Sequence, residues 1–188
     1  MPDNSEAKAK ALTLLETGQY ADAISLYHVI CDADNTDADA WHKLGLCYVR
    51  TQKNDDAHPC LQKASELAPD NVEIQGHYAN VLALRGDVDG AIESTEKLLS
   101  LQATAEIHTF LGNLLSHQQQ FDKAITHFQS ALELDSSWAG SHAGLAQIYV
   151  ATNQLDAAKK AAADALTNDP TNEIATQILT QLNARSMS

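Results

Sequence analysis

The stretch Trp41-His42-Lys43-Leu44-Gly45-Leu46-Cys47-Tyr48, followed by Asn54-Asp55-Asp56-Ala57, decides how the whole chain is read. Trp41, Leu44, Gly45 and Tyr48 fall on one face of a helix. The pattern recurs. Ala57 has counterparts at Ala23, Ala91, Ala124 and Ala158, at intervals of 34, 34, 33 and 34. Gly45 has counterparts at Ala11, Ala79, Gly112 and Ala146, each twelve residues before its alanine. Five copies at one period mark a repeat architecture, and missing them would misread the fold.

Each copy reads as two amphipathic helices joined by a tight turn. The turn holds Gly18, Gln52, Gly86, Gln119 and Asn153. Gly and Asn suit a left-handed helix cap there, and the two Gln suit it less well. The second helix opens with Asp22, Asp55, Asp89, Asp122 and Asp156. A carboxylate at that point is expected to cap free N–H groups and to face the positive helix end. Pro59 stands four residues after Asp55, so it removes at most about one ladder hydrogen bond and weakens the helix without breaking it. Pro69 and Pro170 stop two of the second helices.

Composition agrees. The chain has 188 residues, enough for one large domain or two small ones. With 12 Lys plus Arg against 25 Asp plus Glu the formal charge is −13. An acidic chain without a basic stretch lacks the electrostatic footprint of a nucleic-acid binder and is repelled by anionic lipid. Aromatics are only 5% while 44% of residues are hydrophobic, which suits close-packed helices better than a β-sandwich. No apolar run reaches the length of a membrane span, and Met1 to Glu6 shows neither a basic nor an apolar signal region. Three cysteines at irregular spacing make no disulfide framework. Reduced thiols and no export signal lead to a cytoplasmic expectation.

These residues resemble the tetratricopeptide repeat family. Trp41, Leu44, Gly45, Tyr48, Ala57, Ala64 and Pro69 match its signature positions. So do Leu111, Gly112, Asn113, Phe121, Ala124, Phe128 and Ala131, and again Leu145, Ala146, Tyr149, Ala158, Ala165 and Pro170. The resemblance implies an all-α, right-handed superhelical solenoid of antiparallel helix pairs. The repeats are placed at 4–37, 38–71, 72–104, 105–138 and 139–172, the third one residue short in the linker from Ser100 to Thr104. A capping helix is expected over 173–184, apolar at Ile174, Ile178, Leu179 and Leu182 and capped by Thr171 or Asn172. Residues 1–3 are expected to be disordered and 185–188 frayed. The first helix is atypical, with Lys10 on a face that is otherwise apolar.

Catalytic and metal motifs do not stand out. No phosphate loop, nucleophile elbow, paired-Cys zinc spacing or His-Glu-x-x-His run is present. Cys60 and His58 are two apart and point to different sides of a helix, while Cys31 and Cys47 read as small buried hydrophobes. His108 and His142 hold the same place in successive first helices, on the order of 10 Å apart, which is too far for one zinc with bonds of about 2.1 Å. His77 is one step off that face and His117 lies near the helix end, so neither completes a set. No enzyme, cofactor or metal is expected.

With each repeat numbered from its own start, places 4, 7, 8 and 11 of the first helix pack on the second helix. Places 2, 5, 9 and 12 form the opposite face, which lines the concave groove in the resembling family. Place 9 is Leu12, Leu46, Asn80, Asn113 and Gln147; place 12 is Leu15, Val49, Ala83, Ser116 and Val150; place 2 is Ser5, Asp39, Glu73, Glu106 and Gly140. The groove is expected to be apolar in its N-terminal half, amide-lined in its C-terminal half and acidic along one rim. The candidate peptide-binding residues are Asp39, His42, Leu46, Val49, Glu73, Asn80, Glu106, Asn113 and Gln147. Amides suit the backbone of an extended peptide, and the acidic rim favours a partner with Lys or Arg. The family's clamp for a C-terminal carboxylate has only Lys8 at a suitable place, with Leu12 where Asn is usual. The Asn ladder of its glycosyltransferase relatives is replaced by Ala9, Lys43, His77, Phe110 and Gly144. The expected function is a non-enzymatic protein–protein interaction scaffold. The alternatives are an N-terminal regulatory or targeting module of a larger enzyme such as a transferase, and a scaffold that weakly self-associates through its open ends.

Overall fold

The computed structural model describes residues 4–185, and every regular element among them is a helix. The expected disorder at 1–3 and the tail residues 186–188 lie outside the described residues. First helices are α1 (Asn4–Glu16), α3 (Ala38–Arg50), α5 (Val72–Leu84), α7 (Ala105–His117) and α9 (Ala139–Ala151), each of 13 residues. Second helices are α2 (Tyr20–Ala33), α4 (Asn54–Leu67), α6 (Val88–Leu101), α8 (Phe121–Leu134) and α10 (Leu155–Asn168), each of 14. A last helix, α11 (Glu173–Arg185), follows and includes Arg185. The chain forms two compact units, residues 1–101 and 102–188. Their boundary falls in the linker that the sequence shows to be one residue short.

The turns inside the repeats behave as the sequence dictates. Gly18, Gln52, Gly86, Gln119 and Asn153 all have φ between 59° and 79°. Each is followed by a backbone bond that closes the first helix back on itself, as in Lys53 N–H to the Tyr48 carbonyl (2.9 Å) and Gln120 N–H to the Leu115 carbonyl (2.9 Å). A second bond runs from the left-handed residue itself, as in Gln52 N–H to the Val49 carbonyl (3.0 Å). Together they satisfy carbonyls that a helix end otherwise leaves unpaired. Glutamine at such a φ carries a Cβ penalty that glycine avoids. Gln52→Gly and Gln119→Gly are each expected to raise stability by about 0.5–1 kcal/mol, read as a shift of the urea midpoint at unchanged slope.

The N-termini differ from the expected pattern. The residues that cap α2, α4, α8 and α10 are Gln19, Lys53, Gln120 and Gln154, and none makes a side-chain cap bond. Asp22, Asp55, Asp89 and their counterparts stand inside the first turn, past the cap position. Their part is electrostatic, a negative charge at the positive helix end. In α6 the capping side chain is Asp87, which accepts from Gly90 N–H at 3.0 Å. Side-chain caps belong instead to first helices: Asp37 for α3, Asn71 for α5 and Thr104 for α7. Asn172 caps α11, accepting from Ala175 N–H at 3.0 Å. The links into α3, α9 and α11 share one device. Asp34, Asp135 and Asp169 each accept from the backbone N–H and the hydroxyl two residues on, at Thr36, Ser137 and Thr171. Those hydrogen bonds, the hydroxyl one foremost, hold all three carboxyls below the usual range.

In the first unit the core gathers Tyr27, Ile30, Leu44 and the three thiols, joined by Leu61 and Val81. A Cβ on Gly45 would lie 2.5 Å from Leu61 Cγ, so the small residue twelve before each alanine is small because the two helices of a pair cross there. In the second unit Phe128 is wholly buried, and its ring lies 2.7 Å from where a Cβ on Gly112 would be and closer still at Gly144. α4 runs unbroken through Pro59. In α11, Ala175, Ile178 and Leu182 are buried while Ile174 is 41% exposed. Lys10 of α1 is exposed.

Candidate peptide-binding face and a histidine cluster

The residues expected to bind a peptide divide between the units. In the first unit Asp39 and Glu73 are exposed, and Leu46, Val49 and Asn80 are half-buried. In the second unit Glu106, Asn113 and Gln147 are all exposed. Place 9 thus presents three amide side chains, Asn80, Asn113 and Gln147, that make no hydrogen bond among the described residues. Their donors and acceptors are left for water or a ligand.

Three of the expectations need correcting. His42 is only 2% exposed and does not face a ligand groove. Place 5 turns toward the next first helix: His42 Nε2 meets His77 Nδ1 at 2.8 Å, and in the second unit the Thr109 and Ser141 hydroxyls meet at 2.6 Å, both buried. Val49 and Leu15 are not free apolar anchors, because each packs against the core of the first unit. Leu12, at 39% exposure, and Leu46 remain as the apolar surface at place 9. The acidic rim is also partly compensated, since Lys43 lies 3.7 Å from Asp39.

Two clefts of the first unit open elsewhere. One, of about 510 Å³, is lined by His58, Tyr78, Asp87, Glu93 and Lys97; the other, of about 580 Å³, by His28, Trp41, Tyr48, Pro59 and Lys63. Neither contains a residue of the expected peptide site. Cys31, Cys47 and Cys60 are buried free thiols. Burial pushes Cys31 up to about 12 and Cys47 and Cys60 up to about 11, so none is a thiolate nucleophile near neutral pH.

The histidines pair in a way the repeat register does not suggest. His108 bonds to His127, Nδ1 to Nδ1 at 3.1 Å, and His142 Nε2 to the Ser136 carbonyl at 3.1 Å; the two are not brought together. His77, which seemed off the face, joins His42 and Glu73, and their ligand atoms lie within 4.8 Å of one another. Burial above all, then the neighbouring His77 and Lys43, lowers the His42 pKa to about 4. Burial also lowers His77. Both imidazoles are therefore neutral at pH 7.

Comparison with known proteins agrees with this architecture. Family models described as tetratricopeptide repeat match residues 38–71 and 115–182. The chain is 25% identical over 166 residues to the probable UDP-N-acetylglucosamine–peptide N-acetylglucosaminyltransferase SPINDLY of Hordeum vulgare, covering 84% of this chain and 18% of that protein. It is 29% identical over 134 residues to the BBSome complex member BBS4 of Bos taurus, covering 71% of this chain and 25% of that protein. The chain therefore spans a quarter or less of either relative. Among solved structures, MamA superposes with a TM-score of 0.79 at 20% identity, over 85% of this chain and 94% of that one. YrrB, a TPR protein with an unusual peptide-binding site, gives 0.79 at 19% identity, over 93% and 91%. At such identities the likeness is one of fold. No helix among the described residues is long and apolar enough to cross a membrane.

Proposed function

Because the chain belongs to the tetratricopeptide repeat family, whose fold serves protein–protein contact, we propose that it is a non-catalytic scaffold whose units each hold an extended peptide segment on their first-helix faces. The observation that carries this reading is the set of unspent amides at place 9. Asn80 in the first unit and Asn113 with Gln147 in the second each offer two donors and an acceptor, the complement of a peptide backbone. Leu12 and Leu46 supply apolar area in the first unit, and Asp39, Glu73 and Glu106 supply negative charge. That charge favours a segment with Lys or Arg, through faster encounter more than through final affinity.

The test is affinity capture from the native lysate followed by titration with the captured segment. Asn113→Ala with Gln147→Ala is expected to weaken binding about thirtyfold, two lost hydrogen bonds at roughly 1 kcal/mol each. Asn80→Ala reports on the first unit separately. A partner that binds both variants as tightly as the native protein would place the contact on the second helices instead.

A second reading rests on length. The chain covers 18% of a relative whose name is that of a glycosyl-transferring enzyme, and such repeats serve there as one part of a larger whole. In that reading the same faces engage a segment in cis. Fusing the native neighbouring sequence would then abolish capture of any partner in trans.

A further inference from the structure

We propose that His42, Glu73 and His77 form a binding site for a zinc-class divalent metal ion in the first unit. α5 presents Glu73 and His77 four residues apart, hence on one face, and α3 carries His42 opposite them. The three ligand atoms converge within 4.8 Å. Two imidazoles and one carboxylate are a donor set that suits zinc and neighbouring first-row ions.

The two imidazoles need little movement, and the exposed Glu73 carboxylate closes on the ion by turning its side chain. His42 Nε2 and His77 Nδ1 are 2.8 Å apart, whereas two ligands on a tetrahedral zinc with bonds of about 2.0–2.1 Å stand about 3.3 Å apart. A side-chain rotation of a few tenths of an ångström makes room. One of the two facing nitrogens now carries the proton of their hydrogen bond. On coordination that ring keeps its proton on its other nitrogen, so both rings stay neutral and both lone pairs reach the metal.

The charges around the pair act in both directions. Lys43 acts against protonation of His42 and His77, and Arg50 against that of His77, while Glu73 and, for His42, Asp39 act in the other direction. Burial outweighs them all. Glu73 is exposed and makes no ion pair with Lys or Arg among the described residues. It marks the open side of the site, where water completes the coordination shell.

The probe is Zn2+ alone, titrated calorimetrically into the purified chain without any partner, with Co2+ substitution for visible spectroscopy. One ion per chain is expected, with micromolar or tighter affinity, a raised Tm and the intense visible bands of four-coordinate cobalt. His77→Gln keeps an amide beside His42 and is expected to lose affinity beyond the roughly 10–100-fold that removal of an outer-shell partner costs. Glu73→Gln, at an exposed position that cannot unfold the chain, is expected to weaken binding at least about tenfold. His108→Gln, in the other histidine pair, is expected to change nothing. Zinc affinity unaltered in Glu73→Gln, or lost equally in His108→Gln, would overturn the assignment. So would weak binding of several ions per chain. Peptide capture is a separate measurement, so its failure leaves this result standing.

Discussion

Phe128→Ala is expected to destabilise the second unit by about 3–5 kcal/mol. Phe128 has no exposed surface, and its ring occupies the space beside α7 and α9 where Gly112 and Gly144 have no side chain. One aromatic side chain from α8 therefore fixes the approach of two first helices. Truncating it removes the transfer free energy of a whole ring and leaves a cavity bordered by two glycines. Neither can fill that cavity by changing rotamer, which puts the cost toward the upper end of the range. The reverse change is informative too. Gly144→Ala forces a methyl against the ring and should cost about 1–3 kcal/mol alone. In the Phe128→Ala background the added methyl has room, so the double variant should be clearly more stable than the sum of the two losses. Urea unfolding followed through Trp138 reads this unit, with Trp41 replaced to remove the signal of the first. Strict additivity would mean that ring and glycine do not share that space.

The small residues at the helix crossings made the repeat legible, because a close approach constrains residue size wherever it recurs. The left-handed turns were legible for a similar reason: only a few residue types tolerate a positive φ, and three of the five turns carry Gly or Asn. What a single helical wheel cannot show is a second neighbour. It separates the face on the paired helix from the face away from it, and so it assigned place 5 to a groove. In the stack a first helix also meets the next first helix, and His42 and Thr109 turn toward that contact. The histidine cluster was missed because the partners sit at unlike places, 5 and 6, with a separation of 35 rather than the repeat length. The four-residue spacing of Glu73 and His77 was the one signal available. The aspartates were misplaced by two or three residues, since a carboxylate in the first turn and one at the cap have similar sequence signatures. Of the nine residues expected on the peptide face, the structure removes His42, which is buried, and Val49, which packs on the core.

Pro59→Ala is expected to stabilise the first unit by about 1–3 kcal/mol. Pro59 is the sixth residue of α4, past the first turn, where the nitrogen would otherwise donate to the Asp55 carbonyl. The ring also crowds that carbonyl. α4 continues through it, so packing against α3, and not the local ladder, holds this turn together. Against the gain stands the restriction that proline places on the unfolded chain, about 0.4–1 kcal/mol, which is smaller than the helix-interior penalty of about 3 kcal/mol. Pro59 is exposed and lines the same cleft as Trp41 and Tyr48, so the alanine removes little buried surface. Trp41 fluorescence during urea unfolding, with Trp138 replaced, should show a higher midpoint at unchanged slope. A lower midpoint would mean that the ring supports the cleft wall by more than its backbone costs. The cleft formed with His28, Trp41, Tyr48 and Lys63 would then be a maintained feature of the fold, kept open at the expense of one helical hydrogen bond.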